Sequence, residues 1–257
     1  MIKSYFQKFF IKKHSGIKRN FVLVNNAPFQ LEEAYKALRT NLQFVCADKS
    51  VKKILITSSS PGEGKSTITI NLAISLAQVG HKVLIIDADM RKPKLNTYLK
   101  VKNFPGLTNV LAKTNTLDEA IQFDSELGIY VITCGPIPPN PAELIETKMM
   151  EKILSELEEK FDYILIDSPP ASFITDASVL SKHADGVLMV FLHGSVTFEI
   201  AALALKNLRS AGAHILGGIL NNVDTEKTGR YYYYKNYKYY AAYQQEDSIK
   251  KKAKKQK

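Results

Sequence analysis

The segment Ser58 to Thr67 reads SSSPGEGKST, and its residue types are those needed to grip a polyphosphate. Backbone N–H groups around Gly62 to Ser66 can close on phosphate oxygens without side-chain obstruction. A helix beginning near Lys65 aims its positive end at the same place. Lys65 offers an ammonium group to β- and γ-phosphate charge, and the Ser66 hydroxyl suits Mg2+. Ser60, Pro61, Gly62, Glu63, Gly64, Lys65, Ser66 and Thr67 are therefore the expected nucleotide contacts, with ATP and Mg2+ as the ligands. Ser59 departs from the motif, because it stands where the first glycine is expected. The bland alternative is an ordinary glycine turn. Against it stand the apolar run Ile54 to Thr57 just before and the helical stretch ITINLAISLAQVG just after.

Two further apolar runs end in carboxylates. One delivers Asp87 and Asp89 within LIIDADMRKP, and the other delivers Asp167 ahead of Ser168, Pro169 and Pro170. In an open parallel sheet, ligands sit at the carboxyl ends of strands, so these acids are expected beside the phosphate loop. There they could hold Mg2+ directly or through water, as a hard oxygen-seeking cation requires. A strand-end aspartate is also a common helix cap, which is the competing reading for each. His193, at the end of another run, reads as a packed or exposed residue rather than a catalyst. Asn221 and Asn222 follow the last run, where related nucleotide-binding folds contact the base. Asn222 is kept as the base-side candidate, although a turn explains the pair equally well.

Six runs of strand length must position these groups: Lys53 to Thr57, Lys82 to Asp87, Ile129 to Cys134, Tyr163 to Asp167, Gly186 to Leu192 and His214 to Leu220. They are apolar on both faces and mostly followed by helical patterns. That describes a phosphate-loop α/β fold, a mostly parallel central sheet with helices on both faces. Ahead of the first run, Leu31, Ala34, Leu38, Leu42 and Val45 fall on one face of an expected helix. Residues 28–228 are read as the nucleotide-binding domain.

Residues 1–27 form a separate basic segment. Ile2, Tyr5, Phe6, Phe9 and Phe10 recur at helical spacing with lysines off the stripe, which fits either a helix packed on the domain or one that meets a membrane or partner. Residues 229–257 change composition to tyrosine and lysine with almost no aliphatic side chains, so they are expected to be a flexible tail. Tyr231, Tyr232, Tyr233, Tyr234, Tyr237, Tyr239, Tyr240 and Tyr243 are eight of the chain's thirteen tyrosines. A packed core has no use for that clustering.

The net charge of +10 belongs to the two ends. Met1 to Asn20 holds six Lys or Arg and no acid, and Lys235 to Lys257 holds eight Lys against Glu246 and Asp247, which leaves the body close to neutral. This argues against a specific nucleic-acid face on the domain and for tails that meet something anionic. Cys46 and Cys134 give no disulfide framework. No apolar run reaches the length of a membrane span, so a cytoplasmic protein with peripheral membrane contact is expected.

The motifs SSSPGEGKST, LIIDADMRKP, PPNPAELI at Pro138 to Ile145, and ILIDSPP together resemble those of the bacterial tyrosine kinases that use Walker motifs. They occur in that family's order, and the resemblance covers most of Ala27 to Asp224. It looks closest to the stand-alone cytoplasmic kinases of capsule and exopolysaccharide export. What it implies is an ATP-dependent protein-tyrosine autokinase that phosphorylates its own tail in trans and regulates polysaccharide synthesis and export. It further implies a separate transmembrane activator chain that holds the kinase at the inner face of the membrane, and a cognate tyrosine phosphatase. Lys65 is then expected on phosphates, Ser66, Asp87 and Asp167 on magnesium, and Asp87 or Asp89 as activator of the attacking hydroxyl.

The same resemblance implies a homo-oligomeric ring built on a Glu-x-x-Arg-x-x-Arg helix, matched here by Glu33, Lys36 and Arg39. Lysine at the middle position lacks the planar fork that pairs bidentately with carboxylates. Full phosphorylation of the tail would add about −1.5 to −2 charges per tyrosine, overturning its basic character and repelling neighbouring tails. Two other functions compete. A positioning ATPase of the same fold carries an extra lysine in its loop, at the position held here by Ser60. A nucleic-acid-binding ATPase could stack the tail tyrosines on bases, at the cost of strong salt dependence.

Overall fold

A computed structural model describes residue 23 and residues 27–46 and 51–223. The basic amphipathic stretch Met1 to Phe10 and all eight tail tyrosines lie outside the described residues. Two units are separable along the chain, Met1–Asn221 and Asn222–Lys257, and the first carries every helix and strand given below.

Seven strands make one sheet among the described residues: β1 (Lys53–Ser58), β2 (Val83–Asp87), β3 (Gln122–Asp124), β4 (Ile129–Ile132), β5 (Tyr163–Asp167), β6 (Gly186–Leu192) and β7 (Ile215–Asn221). Their spatial order is β3-β4-β2-β5-β1-β6-β7, and every neighbouring pair is parallel except β3 with β4. The six expected strands are all present, two with the expected bounds. The short antiparallel edge strand β3 has no counterpart among the six apolar runs.

Strand periodicity splits the core into two layers. Ile54 and Ile56 of β1, Val83 and Ile85 of β2, and Leu165 of β5 point to one face. Leu55, Leu84, Ile86, Ile164 and Ile166 point to the other. Successive side chains of a strand alternate faces, so continuous apolar runs are needed where helices cover both. On the first face lies helix α2 (Lys65–Ala77), apolar on nearly all sides, with Ile70, Leu72 and Leu76 buried. Such a helix needs a second cover, and α1 (Phe29–Cys46) supplies it by burying Tyr35, Leu42 and Cys46. The face of α1 is therefore rotated from the expected one: Leu31 stays 38% and Val45 51% exposed. The reason is Tyr35, whose hydroxyl accepts a 3.2 Å hydrogen bond from the buried Asn71 amide of α2 and turns its side of the helix inward.

The second face is covered by α7 (Lys148–Lys160) through Met150, Ile153, Leu154 and Leu157, and by α9 (Phe198–Ser210) through Ala204 and Leu208. Each fully buried aliphatic side chain contributes about 1.5–3 kcal/mol relative to exposure. Five short helices, α3 (Leu95–Leu99), α4 (Leu107–Leu111), α5 (Leu117–Ala120), α6 (Pro141–Ile145) and α8 (Asp176–Ser181), fill the connections. No described helix is long and apolar enough to cross a membrane.

Candidate active site

The loop from Ser59 to Gly64 leaves the carboxyl end of β1 and enters α2 at Lys65. It turns on two glycines with left-handed backbones, Gly62 at φ 85° and Gly64 at φ 91°. Side-chain-bearing residues are strained there. At Gly64 a Cβ would also lie 2.3 Å from Asn221 Nδ2. Gly64 is the N-cap of α2 and offers no side chain to the first turn, so the amides that open the helix keep their donor capacity for an anion.

Lys65 sits between two of the three expected acids. Its Nζ donates to Asp89 Oδ2 at 2.8 Å and lies 3.7 Å from Asp167 Oδ1, with Ser66 Oγ at 3.5 Å. Parallel pairing of β2 with β5 sets Asp87 level with Asp167, which is why residues eighty positions apart share one site. Asp87 is a helix cap in part: its Oδ2 accepts from the amides of Lys94 at 3.1 Å and Leu95 at 3.0 Å, at the start of α3. Its other oxygen, and both oxygens of Asp167, are buried without a hydrogen-bond partner. Asp89 differs, since Oδ1 accepts from the Lys92 amide at 3.0 Å while Oδ2 takes Lys65.

These surroundings set the protonation chemistry. Burial, reinforced by the neighbouring Asp167 charge, pushes the Asp87 carboxyl up to about 7. Asp167 is raised mainly by burial, with Lys65 opposing the shift. Lys65 is raised: burial is the largest influence and pulls down, but Asp167 and Asp89 together outweigh it. Three buried carboxylates against one ammonium group make a site short of positive charge.

The orphaned oxygens of Asp87 and Asp167 beside the Ser66 hydroxyl are the donor set that Mg2+ prefers. No group of three acidic, histidine or cysteine side chains among the described residues forms a cage for a metal by itself.

Two arrangements at the site have no signal in the sequence pattern. Arg91, two residues past Asp89, pairs bidentately with the fully buried Asp176 at the start of α8, Nε to Oδ2 at 2.7 Å and Nη2 to Oδ1 at 3.0 Å. The sequence showed Arg91 in LIIDADMRKP but held no cue to a partner 85 positions away. Glu63 is the second: it is expected to touch nucleotide, yet its carboxylate is turned into the loop, 2% exposed, and accepts from Ser59 Oγ and the Ser60 amide.

The remaining expected residues fall as follows. Asn221 closes on the loop, its Nδ2 donating to the Glu63 carbonyl at 2.9 Å, while Asn222 adopts a left-handed backbone at φ 56°. His193 is exposed, and Cys46 and Cys134 are free and buried. Glu33 and Lys36 pair with each other at 2.7 Å on α1. Arg39 reaches α2 of its own chain, donating to the Ser75 carbonyl at 2.6 Å.

The family model described as AAA domain matches residues 51–199. The chain is 39% identical over 226 residues to the tyrosine-protein kinase YwqD of Bacillus subtilis, covering 87% of this chain and 95% of that protein. It is 35% identical over 204 residues to the putative tyrosine-protein kinase CapB of Staphylococcus aureus, covering 79% and 90%. Among solved structures, the kinase domain of the Escherichia coli tyrosine kinase ETK superposes with a TM-score of 0.78 at 34% identity, covering 82% of this chain and 83% of that one.

Proposed function

This chain belongs to the bacterial tyrosine-protein kinases, and from that premise we propose that its Lys65 site moves the γ-phosphoryl group of ATP onto tyrosines of its own tail. The observation that carries the proposal is the ammonium group of Lys65 held between Asp89 and Asp167, at the mouth of a loop whose glycines require left-handed backbones.

In this reading the amides from Gly62 to Ser66 bind the phosphates and Lys65 neutralises the terminal ones. Ser66, Asp87 and Asp167 would hold Mg2+, which supplies charge neutralisation on the transferring group. The tyrosine oxygen forms a bond to the γ-phosphorus, the bond to the β–γ bridging oxygen breaks, and ADP leaves with that electron pair. The phenol proton passes to a carboxylate. Asp87 and Asp89 each spend one oxygen on backbone amides; Asp89 is favoured because Asp87 is assigned to Mg2+, and because the Oδ2 of Asp89 would be freed by a turn of Lys65 toward phosphate. A phenol ordinarily holds its proton to about pH 10, so it needs such help at neutral pH.

The acceptors would be Tyr231 to Tyr234, Tyr237, Tyr239, Tyr240 and Tyr243, reached in trans from a neighbouring copy through the Glu33, Lys36 and Arg39 helix. Polysaccharide control, a membrane-spanning activator chain and a tyrosine phosphatase complete the proposal by family resemblance, and with them a place at the inner membrane face. Ser60, where positioning ATPases carry lysine, speaks for the kinase over that alternative.

Purified protein with Mg2+ and ATP, alone and with an activator's cytoplasmic segment, is expected to yield phosphotyrosine confined to the tail by mass spectrometry. Lys65→Met should lower that rate roughly 100- to 1,000-fold, the size seen when one charge-stabilising group is removed. Phosphate found chiefly on Tyr35, Tyr98, Tyr130 or Tyr163, or activity surviving Lys65→Met, would refute the reading.

A further inference from the structure

We infer that Ser59 and Glu63 are positioning residues: a buried hydroxyl–carboxylate brace that fixes the shape of the phosphate loop, in place of the glycine expected at position 59. The inference rests on the reading of this loop as the ATP site and adds what holds it in form.

Both ends of the brace are sealed, Ser59 with no exposure and Glu63 with 2%. Ser59 Oγ lies 2.9 Å from Glu63 Oε1 and 2.8 Å from Oε2, and the Ser60 amide donates to Oε2 at 2.8 Å. The tie extends outward in three directions. Leu192 at the end of β6 directs its amide to Oε1 at 3.5 Å, and Asn221 at the end of β7 donates to the Glu63 carbonyl at 2.9 Å. On the other side, Ser172 Oγ donates to the Ser59 carbonyl at 2.6 Å. The loop is thus fastened to the ends of β6 and β7 and to the segment after β5, and its own acid is consumed internally.

A carboxylate in a phosphate loop opposes the ligand's charge, so its presence needs a reason. The reason here is geometric. Glu63 absorbs the Ser60 amide and the Ser59 hydroxyl at the stem, so the amides further on, from Gly62 to Ser66, remain the ones that face an anion. A glycine at position 59 has no hydroxyl to give, and the Glu63 carboxylate would then lose the partner that orients it. Restoring the consensus glycine should therefore weaken ATP binding rather than strengthen it.

The test is ATP affinity by calorimetry, together with KM and kcat for tail phosphorylation, in the full chain. Ser59→Gly, Ser59→Ala and Glu63→Ala are each expected to raise Kd and KM for ATP about tenfold, the size of one hydrogen bond's net contribution. Their kcat should stay within about twofold of wild type, because once ATP is seated the transferring atoms are held by other groups. Glu63→Gln should restore binding, since its amide oxygen can accept from Ser60 and its NH2 group can donate to Ser59 Oγ. A merely structural defect would lower the yield of folded protein without separating KM from kcat.

Ser59→Gly binding ATP as tightly as wild type would overturn the brace while leaving the ATP site intact. So would Glu63→Gln proving as harmful as Glu63→Ala, which would assign the effect to charge. Wild-type protein failing to bind ATP would overturn the brace and the site together.

Discussion

The two ends of the central sheet handle charge in opposite ways. At the amino end, Lys53 contacts both Glu158 and Asp185, and Asp185 Oδ2 also accepts the amides of Lys52 at 2.9 Å and Lys53 at 2.8 Å. Asp162 takes the Lys82 amide at 2.7 Å. Every one of these groups has a partner. At the carboxyl end, Asp87 and Asp167 keep three buried oxygens without a hydrogen bond, and a single lysine faces three acids. Buried polar atoms left unpaired cost stability, so the amino end is arranged for folding and the carboxyl end for a ligand that brings positive charge and donors with it.

A matched pair of substitutions should break or sharpen that contrast most. Asp167→Asn removes a buried charge that burial disfavours more than Lys65, at 3.7 Å, offsets, so stability is expected to rise by about 1 kcal/mol while kinase activity falls roughly 100-fold. Asp185→Asn keeps one oxygen for the two amides but replaces the oxygen facing Lys53 with an NH2 group and removes its charge, so stability should fall by about 1 kcal/mol with kcat and KM unchanged. Urea melts and tail-phosphorylation rates measure both. If both substitutions moved stability in the same direction, the contrast between the ends would be wrong.

The next effect is the pH dependence of stability, which should come from the carboxyl end. Asp87 has a folded value raised to about 7 from an ordinary 3.8, because burial and the Asp167 charge disfavour its ionised form. Between those values the folded chain holds a proton that the unfolded chain has released. Stability from this group is therefore present at low pH and is lost as pH rises toward 7, by at most about 1.4 kcal/mol per pH unit. Thermal melts in buffer free of nucleotide and divalent ions should fall across that window. Asp87→Asn should flatten the fall, and an unaltered slope in that variant would place its origin elsewhere.

The same contrast explains what sequence could and could not convey. Parallel strands buried on both faces read as apolar runs, so all six appeared in advance, with Tyr163–Asp167 and Gly186–Leu192 placed to the residue. β3 did not, because Gln-Phe-Asp has neither the length nor the alternation of a strand and owes its pairing to β4. The loop and the three strand-end aspartates were legible because their chemistry is local to a short motif. The Arg91–Asp176 pair was not, since it depends on which distant segment the fold brings alongside, and the inward turn of Glu63 was not, since its local partners Ser59 and Ser60 meet it only through the folded shape of the loop. For α1, aliphatic spacing favoured Leu31 and Val45, and the hydrogen bond of Tyr35 to Asn71 overrode it.

The smallest expected effect lies on α1, away from both ends of the sheet. Glu33 and Lys36 form an i, i+3 pair at 2.7 Å with both side chains partly exposed, and such pairs contribute about 0.2–0.5 kcal/mol. Arg39 is bound differently, to the Ser75 carbonyl near the end of α2, where its charge also meets the negative end of that helix. Glu33→Ala should therefore leave the melting midpoint nearly unchanged, so any loss of self-association by light scattering reports on the surface of α1 and not on folding. Arg39→Ala should lower stability by about 1 kcal/mol through the lost bond to Ser75, whether or not copies associate. If the chain assembles through this helix, an intermolecular acid must compete with Ser75 for Arg39. Association should then weaken in Arg39→Ala by less than a free surface arginine would predict, because the wild-type contact is made at the expense of an existing bond.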